Sequence, residues 1–224
     1  MTTCQLASGE VHTWCASLDI PSDTSARLYA TLTPGERQRS ARFQCDHHRQ
    51  RFIVARGVLR ELLGRYLQTD PGDVRFVYNA FGKPDLSPGF GGQLTFNLSH
   101  AAGLALIAIA SAASVGVDLE YIRMQSEYAE IARRFFSAAE VDALSGLQGH
   151  EYAAAFFSCW TKKEAYCKAR GEGLSEGFCI PSHDSVSTTR WSLYTLRPAP
   201  GYAGALAIEG TGWRVRHRQY RVRA

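Results

Sequence analysis

Asp118 and Glu120 are two carboxylates one residue apart, directly after the apolar run 104–113. In an extended chain side chains alternate faces, so these two share one face while Val117 and Leu119 share the other. Such a pair can grip a cation; the ordinary reading is a strand leaving the core with its last residues in water. Three further patches carry reactive side-chain types. In residues 160–168 (WTKKEAYCK), Glu164 and Lys168 stand one helical turn apart, a spacing that by itself describes an ion pair of about 0.3–0.5 kcal/mol. In residues 97–100 (NLSH), a hydroxyl and an imidazole precede the apolar run, where they can meet a phosphate or serve as hydrogen-bonded structural groups. Arg37, Arg39, Arg51 and Lys83 make a cationic set, which reads as solvated helix-face charge unless an anion docks there.

The elements that must position these groups occur twice. Thr33-Pro-Gly-Glu36 and Ser137-Ala-Ala-Glu140, 104 residues apart, both have the capping-box pattern of a helix start. Each precedes a longer helical pattern, residues 48–64 and 152–171, and both patterns close on a glycine suited to a left-handed helix end. Each half then offers a small-residue apolar strand, GLALIAIA at 103–110 and GALAIE at 204–209. The pattern predicts an α+β fold of two pseudo-symmetric subdomains packed face to face, residues 1–112 and 113–224, with a ligand cleft between them. The Gly- and Pro-rich stretches 79–93 and 181–190 read as loops, and neither makes a dinucleotide or phosphate-loop fingerprint.

Composition narrows the class. With 224 residues, 45% of them hydrophobic and 21% charged, the chain suits a soluble protein with a substantial core. No segment approaches the ~18 apolar residues of a membrane helix, and the start MTTCQLASGE lacks the features of a signal peptide, so the expectation is a cytoplasmic protein with no membrane partner. The six cysteines form no CxxC pair and no zinc spacing; reduced thiols are expected, with Cys159 and Cys167 as core filler. The net charge of +4 is concentrated at the end of the chain, where Arg214, Arg216, Arg218, Arg221 and Arg223 stand without an acid. Their alternation with apolar residues fits a solvated edge strand or a loose terminus, and no nucleic-acid motif accompanies them.

Taken as an ordered set, GKP (82–84), NLSH (97–100), VGVDLE (115–120), RFFS (134–137) and WTKKEAYCKARGEGL (160–174) resemble the Sfp-type 4′-phosphopantetheinyl transferases, from about Leu32 to Ser175. The resemblance implies two α+β halves around an active site, the first half for coenzyme A, the second for magnesium and catalysis. It implies transfer of 4′-phosphopantetheine from coenzyme A to a serine of an apo acyl or peptidyl carrier protein, with 3′,5′-ADP leaving. Carried over by motif, Asp118, Glu120 and Glu164 hold Mg2+, and Glu164, Lys168 and Asp118 are catalytic, Glu164 as general base. Lys83, Ser99, His100 and Lys168 hold coenzyme A, with Arg39 and Arg51 on its 3′-phosphate. Carriers of this type are acidic, and the mixed segment 121–136, with Met124, Gln125 and Ser126 at its start, is the expected docking surface of a monomeric enzyme. The chain departs from the family at Glu36, where a lysine is common, and at Ala101, where a serine is common. Two other readings are a magnesium-dependent phosphoryl transferase using another nucleotide, and a non-catalytic module binding coenzyme A or a carrier.

Overall fold

Both capping boxes form. Thr33 Oγ1 accepts from the Glu36 amide and Glu36 Oε2 accepts from the Thr33 amide, at 3.3 and 2.9 Å; the Ser137–Glu140 pair does the same at 3.3 and 2.7 Å. In this computed structural model, which describes residues 4–90, 92, 94–125, 127–172 and 190–221, these caps open α2 (Pro34–Ala41) and α5 (Ala138–Ser145). Two 22-residue helices follow, α3 (Asp46–Leu67) and α6 (Gly149–Arg170).

The duplication extends to the sheets. The first half runs β1 (Glu10–Ser17), α1 (Ser22–Ala30), α2, α3, a small hairpin β2 (Phe76–Tyr78) and β3 (Pro84–Leu86), then β4 (Leu94–Ala101) and β5 (Leu104–Ser111). The second runs β6 (Val115–Tyr121), α4 (Tyr128–Phe135), α5, α6, β7 (Trp191–Leu196) and β8 (Tyr202–Glu209). The strand orders β4-β5-β1 and β7-β8-β6 are equivalent, and every pairing within them is antiparallel. Val11, Cys15, Leu106 and Ala108 of the first sheet share one core with Val115, Val117, Leu119, Leu206 and Ile208 of the second, so the two sheets pack face to face. On the outer face of the first sheet lies α3, through Val54, Val58, Leu59, Leu62 and Leu63.

One strand crosses the expected boundary at 112/113. β9 (Arg214–Tyr220) adds to the first sheet as a parallel neighbour of β1, in a register running from Glu10↔Arg214 to Ala16↔Tyr220. The arginine alternation therefore reads correctly as an edge strand: Arg214, Arg216 and Arg218 are exposed, and Tyr220 is buried. A second difference concerns Gly64, expected at a helix end. Helix α3 continues to Leu67, and Gln68 takes the left-handed position at φ 55°. Gly64 is needed one turn earlier, where a Cβ would lie 2.8 Å from the returning Thr69 carbonyl oxygen. Gly171, by contrast, does close α6 at φ 73°.

Glu36 is also explained here. It is 7% exposed and lies against two buried arginines of α3, with Arg60 Nε 2.8 Å from Oε2 and Arg56 Nε 3.1 Å from Oε1. The second half repeats the device: Lys163 of α6, 1% exposed, places Nζ 2.9 Å from Glu140 Oε2. In each half the capping glutamate thus ties a short helix to a long one. Removing one partner of such a pair strands the other charge in low dielectric. Glu36→Ala is therefore expected to lower unfolding stability by about 3–5 kcal/mol, read as a lower urea midpoint at unchanged slope.

Candidate active site

The site begins with a glycine. On β6 the residues Gly116, Asp118 and Glu120 share the face turned towards α6, while Val115, Val117 and Leu119 face the core between the sheets. A Cβ on Gly116 would lie 2.1 Å from the Ala165 carbonyl oxygen and 2.3 Å from the Ala169 amide nitrogen. Any side chain there would displace the helix, so strand and helix meet backbone to backbone. Ala165 and Ala169 of α6 and Ala205 and Ala207 of β8 keep the rest of that contact equally thin.

This approach brings together the carboxylates of β6, the 160–168 patch and the 97–100 patch of the sequence. Lys168 Nζ lies 2.5 Å from Asp118 Oδ1 and 3.2 Å from Ser99 Oγ, and Ser99 Oγ donates to the same Asp118 oxygen at 3.0 Å. The simple Glu164–Lys168 pair suggested by helical spacing gives way to a contact between α6 and β6. Asn97 holds β4 in place by accepting the Val117 amide proton at 2.9 Å. Residues 97–100 therefore bind both β6 and α6, and do not form a free-standing anion loop.

Three carboxylates share this pocket with one ammonium group. Burial, and then the Asp118 charge, push the Glu120 pKa above its ordinary value against the opposing pull of Lys168 and Arg123; Glu164 adds to the rise. Glu164 is likewise raised, mainly by burial, with Lys168 opposing and Asp118 reinforcing. Asp118 is 2% exposed, and its Oδ2 has no hydrogen-bond partner although it is fully buried. A buried acceptor left bare beside two raised carboxylates suits a hard divalent cation bound by oxygen ligands.

The imidazole of His100 borders the same pocket. Surrounding protein atoms, then the charges of Lys168 and Arg51, hold its pKa below the usual histidine value even though the residue is exposed. Arg51 is aimed by Asp19, which accepts from Nε at 2.7 Å and from Nη2 at 2.8 Å. Asp19 belongs to no recognisable motif, and only the fold brings it to Arg51. The turn at Gly103, φ 88°, accommodates this pair, since a Cβ there would lie 2.4 Å from Asp19 Oδ2.

Three members of the cationic set lie elsewhere. Arg37 donates to the Ala30 carbonyl at 2.8 Å and caps the Tyr29 ring, as a helix-face charge does. Arg39 is exposed on α2 with its guanidinium 5.4 Å from the Phe52 ring centre, beside a surface hollow lined by Gln38, Arg42 and Phe43. Lys83 spends its ammonium on the Val115 and Ala169 carbonyls, both at 3.1 Å, and burial lowers its pKa. With Asn79, which donates to the Gly171 carbonyl at 2.8 Å, Lys83 fastens the first half to the C-terminal end of α6. Leu174 and Ser175, at the end of the motif, lie outside the described residues, as do Ser126, Cys179, Arg223 and the loop residues 181–189.

Like charges in a partly dry pocket oppose folding until a cation compensates them. Glu164→Gln is therefore expected to raise the melting temperature of the metal-free protein, by about 2–4 °C for each kcal/mol regained. The same variant is expected to lose most of the stabilisation that added divalent cation gives the parent. Thermal melts with and without cation check both outcomes.

The model of the 4′-phosphopantetheinyl transferase superfamily matches residues 114–221, which include β6, α6 and their carboxylates. The 4′-phosphopantetheinyl transferase HetI of Nostoc sp. is 40% identical over 223 residues, covering 96% of this chain and 94% of that protein. The 4′-phosphopantetheinyl transferase Sfp of Bacillus subtilis is 30% identical over 170 residues, 73% of this chain and 72% of its own. AcpT of Salmonella typhimurium, another 4′-phosphopantetheinyl transferase, is 34% identical over 148 residues, 63% of this chain and 74% of its own. A relative of such identity aligned over nearly the whole length carries the family with it: the chain is an enzyme of the 4′-phosphopantetheinyl transferase superfamily.

Proposed function

We propose that this transferase takes coenzyme A as donor and an apo acyl or peptidyl carrier protein as acceptor, with Mg2+ held by Asp118, Glu120 and Glu164. The observation that carries the metal assignment is the buried, unpartnered Asp118 Oδ2 between two carboxylates of raised pKa. Bound there, magnesium would neutralise the donor pyrophosphate, as a hard cation with carboxylate and phosphate ligands does. The carrier serine oxygen attacks the phosphorus that bears pantetheine, the bond from that phosphorus to the bridging oxygen breaks, and 3′,5′-ADP departs. Glu164 accepts the serine proton; its raised pKa makes it a stronger base than an ordinary glutamate. Lys168, already fixed by Asp118 and Ser99, offers its third proton to a pyrophosphate oxygen. Phosphoryl transfer demands little covalent chemistry from the protein, so this positioning accounts for most of the catalysis.

The rest of the donor falls to His100, Arg51 and Arg39, the first two within mutual electrostatic reach. Arg51 and His100 flank the entry to the lysine and carry the 3′-phosphate, with Arg39 on the neighbouring helix as an outer contact. Lys83 serves the donor indirectly, by holding the mouth of the site through Val115 and Ala169. The first half would thus bind coenzyme A and the second would hold the metal and base. No helix of the described residues is long and apolar enough to cross a membrane.

The defining experiment incubates candidate apo-carriers with coenzyme A and Mg2+ and weighs them. A phosphopantetheine mass increment with the parent enzyme, absent with Asp118→Ala and Glu164→Ala of intact fold, establishes the reading. Near-normal transfer by either variant overturns the site.

Donor recognition yields two expectations. Dephospho-coenzyme A should bind more weakly than coenzyme A, and Arg51→Ala should erase much of the difference, each charge-assisted contact being worth about 1.5–3 kcal/mol. The 3′-phosphate favours the charged imidazole, so binding raises a His100 pKa that burial, and then the charges of Lys168 and Arg51, hold down in the free enzyme. Coenzyme A affinity is then expected to rise as pH falls through the window between the bound and free values, and to level below the free one. Calorimetry at several pH values measures it, with His100→Ala flattening the profile.

Carrier docking is expected on the segment after β6. Met124 is 66% exposed and Tyr121 46% exposed, beside Arg123, whereas Tyr128, Ala132 and Phe136 are buried among the aromatic residues of α6. The exposed apolar pair rimmed by an arginine suits an acidic partner. Met124→Asp is expected to raise the Michaelis constant for carrier and leave coenzyme A affinity unchanged, as paired kinetic and calorimetric titrations would read.

A further inference from the structure

The first turn of α3 carries a second group of ligand-type side chains, away from the carboxylate pocket. Cys45 is the N-cap of the helix, and Asp46, His47 and His48 follow it. An N-cap is normally a Ser, Thr, Asp or Asn whose side chain accepts an orphan amide proton. Cys45 makes no such bond, and its sulfur instead lies 2.9 Å from His47 Nδ1. The rings of His47 and His48 meet each other, 4.0 Å between centres. All three residues are exposed, and one ligand atom from each lies within 4.8 Å of the other two. Asp46 is engaged with Arg49 at 2.5 Å. The helix therefore has a thiol where a capping side chain is usual, and that thiol and two imidazoles converge there, with the Asp19 carboxylate within electrostatic reach of His47.

We propose that Cys45, His47 and His48 form a three-ligand site for a zinc-class transition-metal ion. One thiolate and two imidazoles are the donors that such ions select, and they differ in kind from the oxygen ligands of the carboxylate pocket. A tetrahedral ion with bonds of about 2.0–2.3 Å holds its ligand atoms roughly 3.3–3.8 Å apart. Closing the present spread to that range takes only rotamer changes of exposed side chains. Three protein ligands leave a fourth position for water or an incoming group. Cys45 at the extended N-cap and His47 and His48 in the first turn bring their ligand atoms to one end of the helix.

The test uses freshly reduced full-length protein in excess Mg2+, titrated with Co2+ as a spectroscopic stand-in for zinc. A thiolate-to-cobalt charge-transfer band that saturates at one equivalent and disappears on adding Zn2+ is the expected result. Cys45→Ser should abolish the band. His47→Ala and His48→Ala should each weaken Zn2+ binding by more than about tenfold, since even outer-shell partners of a metal ligand are worth that much. All three side chains are exposed, so the metal-free histidine variants should melt with the parent, and Cys45→Ser, which supplies a capping hydroxyl, should melt no lower; these melts certify the fold. Absence of the band, its persistence in Cys45→Ser, or parent-like Zn2+ affinity in both histidine variants would overturn the site.

Discussion

The backbone-to-backbone approach of α6 to β6 at Gly116 is the constraint on which the active site depends. A methyl group at this position would sit inside the van der Waals radius of the Ala165 carbonyl oxygen. Because nothing intervenes, one turn of helix can deliver both Glu164 and Lys168 to a strand that carries two carboxylates of its own. The alanines at 165, 169, 205 and 207 are part of the same arrangement, being too small to hold the layers apart. Packing density and chemical competence here have a single cause.

That proximity creates an electrostatic debt. Asp118 has Lys168 and Ser99 on one oxygen and nothing on the other, while burial and mutual repulsion push Glu120 and Glu164 towards protonation. The surrounding structure supplies stiffness to withstand this. Lys83 and Asn79 clamp the C-terminal end of α6, and Asn97 clamps β6. Strain at a functional site and reinforcement around it are two sides of the same arrangement.

What the sequence makes legible is what lies close along the chain. The capping boxes depend on residues three apart, and the alternation of Asp118 and Glu120 on local backbone geometry, so both read directly. The site motifs were legible as an ordered set, because their members come from β4, β6 and α6, which the fold stacks together. Contacts between distant residues were not. Nothing near Glu36 announces Arg56 and Arg60, so in the sequence it read only as a departure from the family, and in the fold it is a buried anchor. Lys83 sits in a recognisable motif, but only the tertiary structure shows its ammonium committed to two carbonyls. Gly64 carried a true local signal, the need for a bare backbone, but its cause was the chain returning at Thr69, not the end of the helix.

The parallel pairing of β1 with β9 bears on how the protein is made. Their ladder joins residues near 10 to residues near 214, among the most distant pairings the chain allows. During synthesis the first half emerges with its three helices, its hairpin and three strands of its main sheet, but one edge of β1 stays open until residues 214–220 have left the ribosome. Contacts of such sequence separation form late and slowly, and an open strand edge is a template for pairing with another chain. The arginines of β9 cannot protect that edge before they are translated. The nascent first half is therefore the species most exposed to aggregation, and the one a chaperone has most reason to hold.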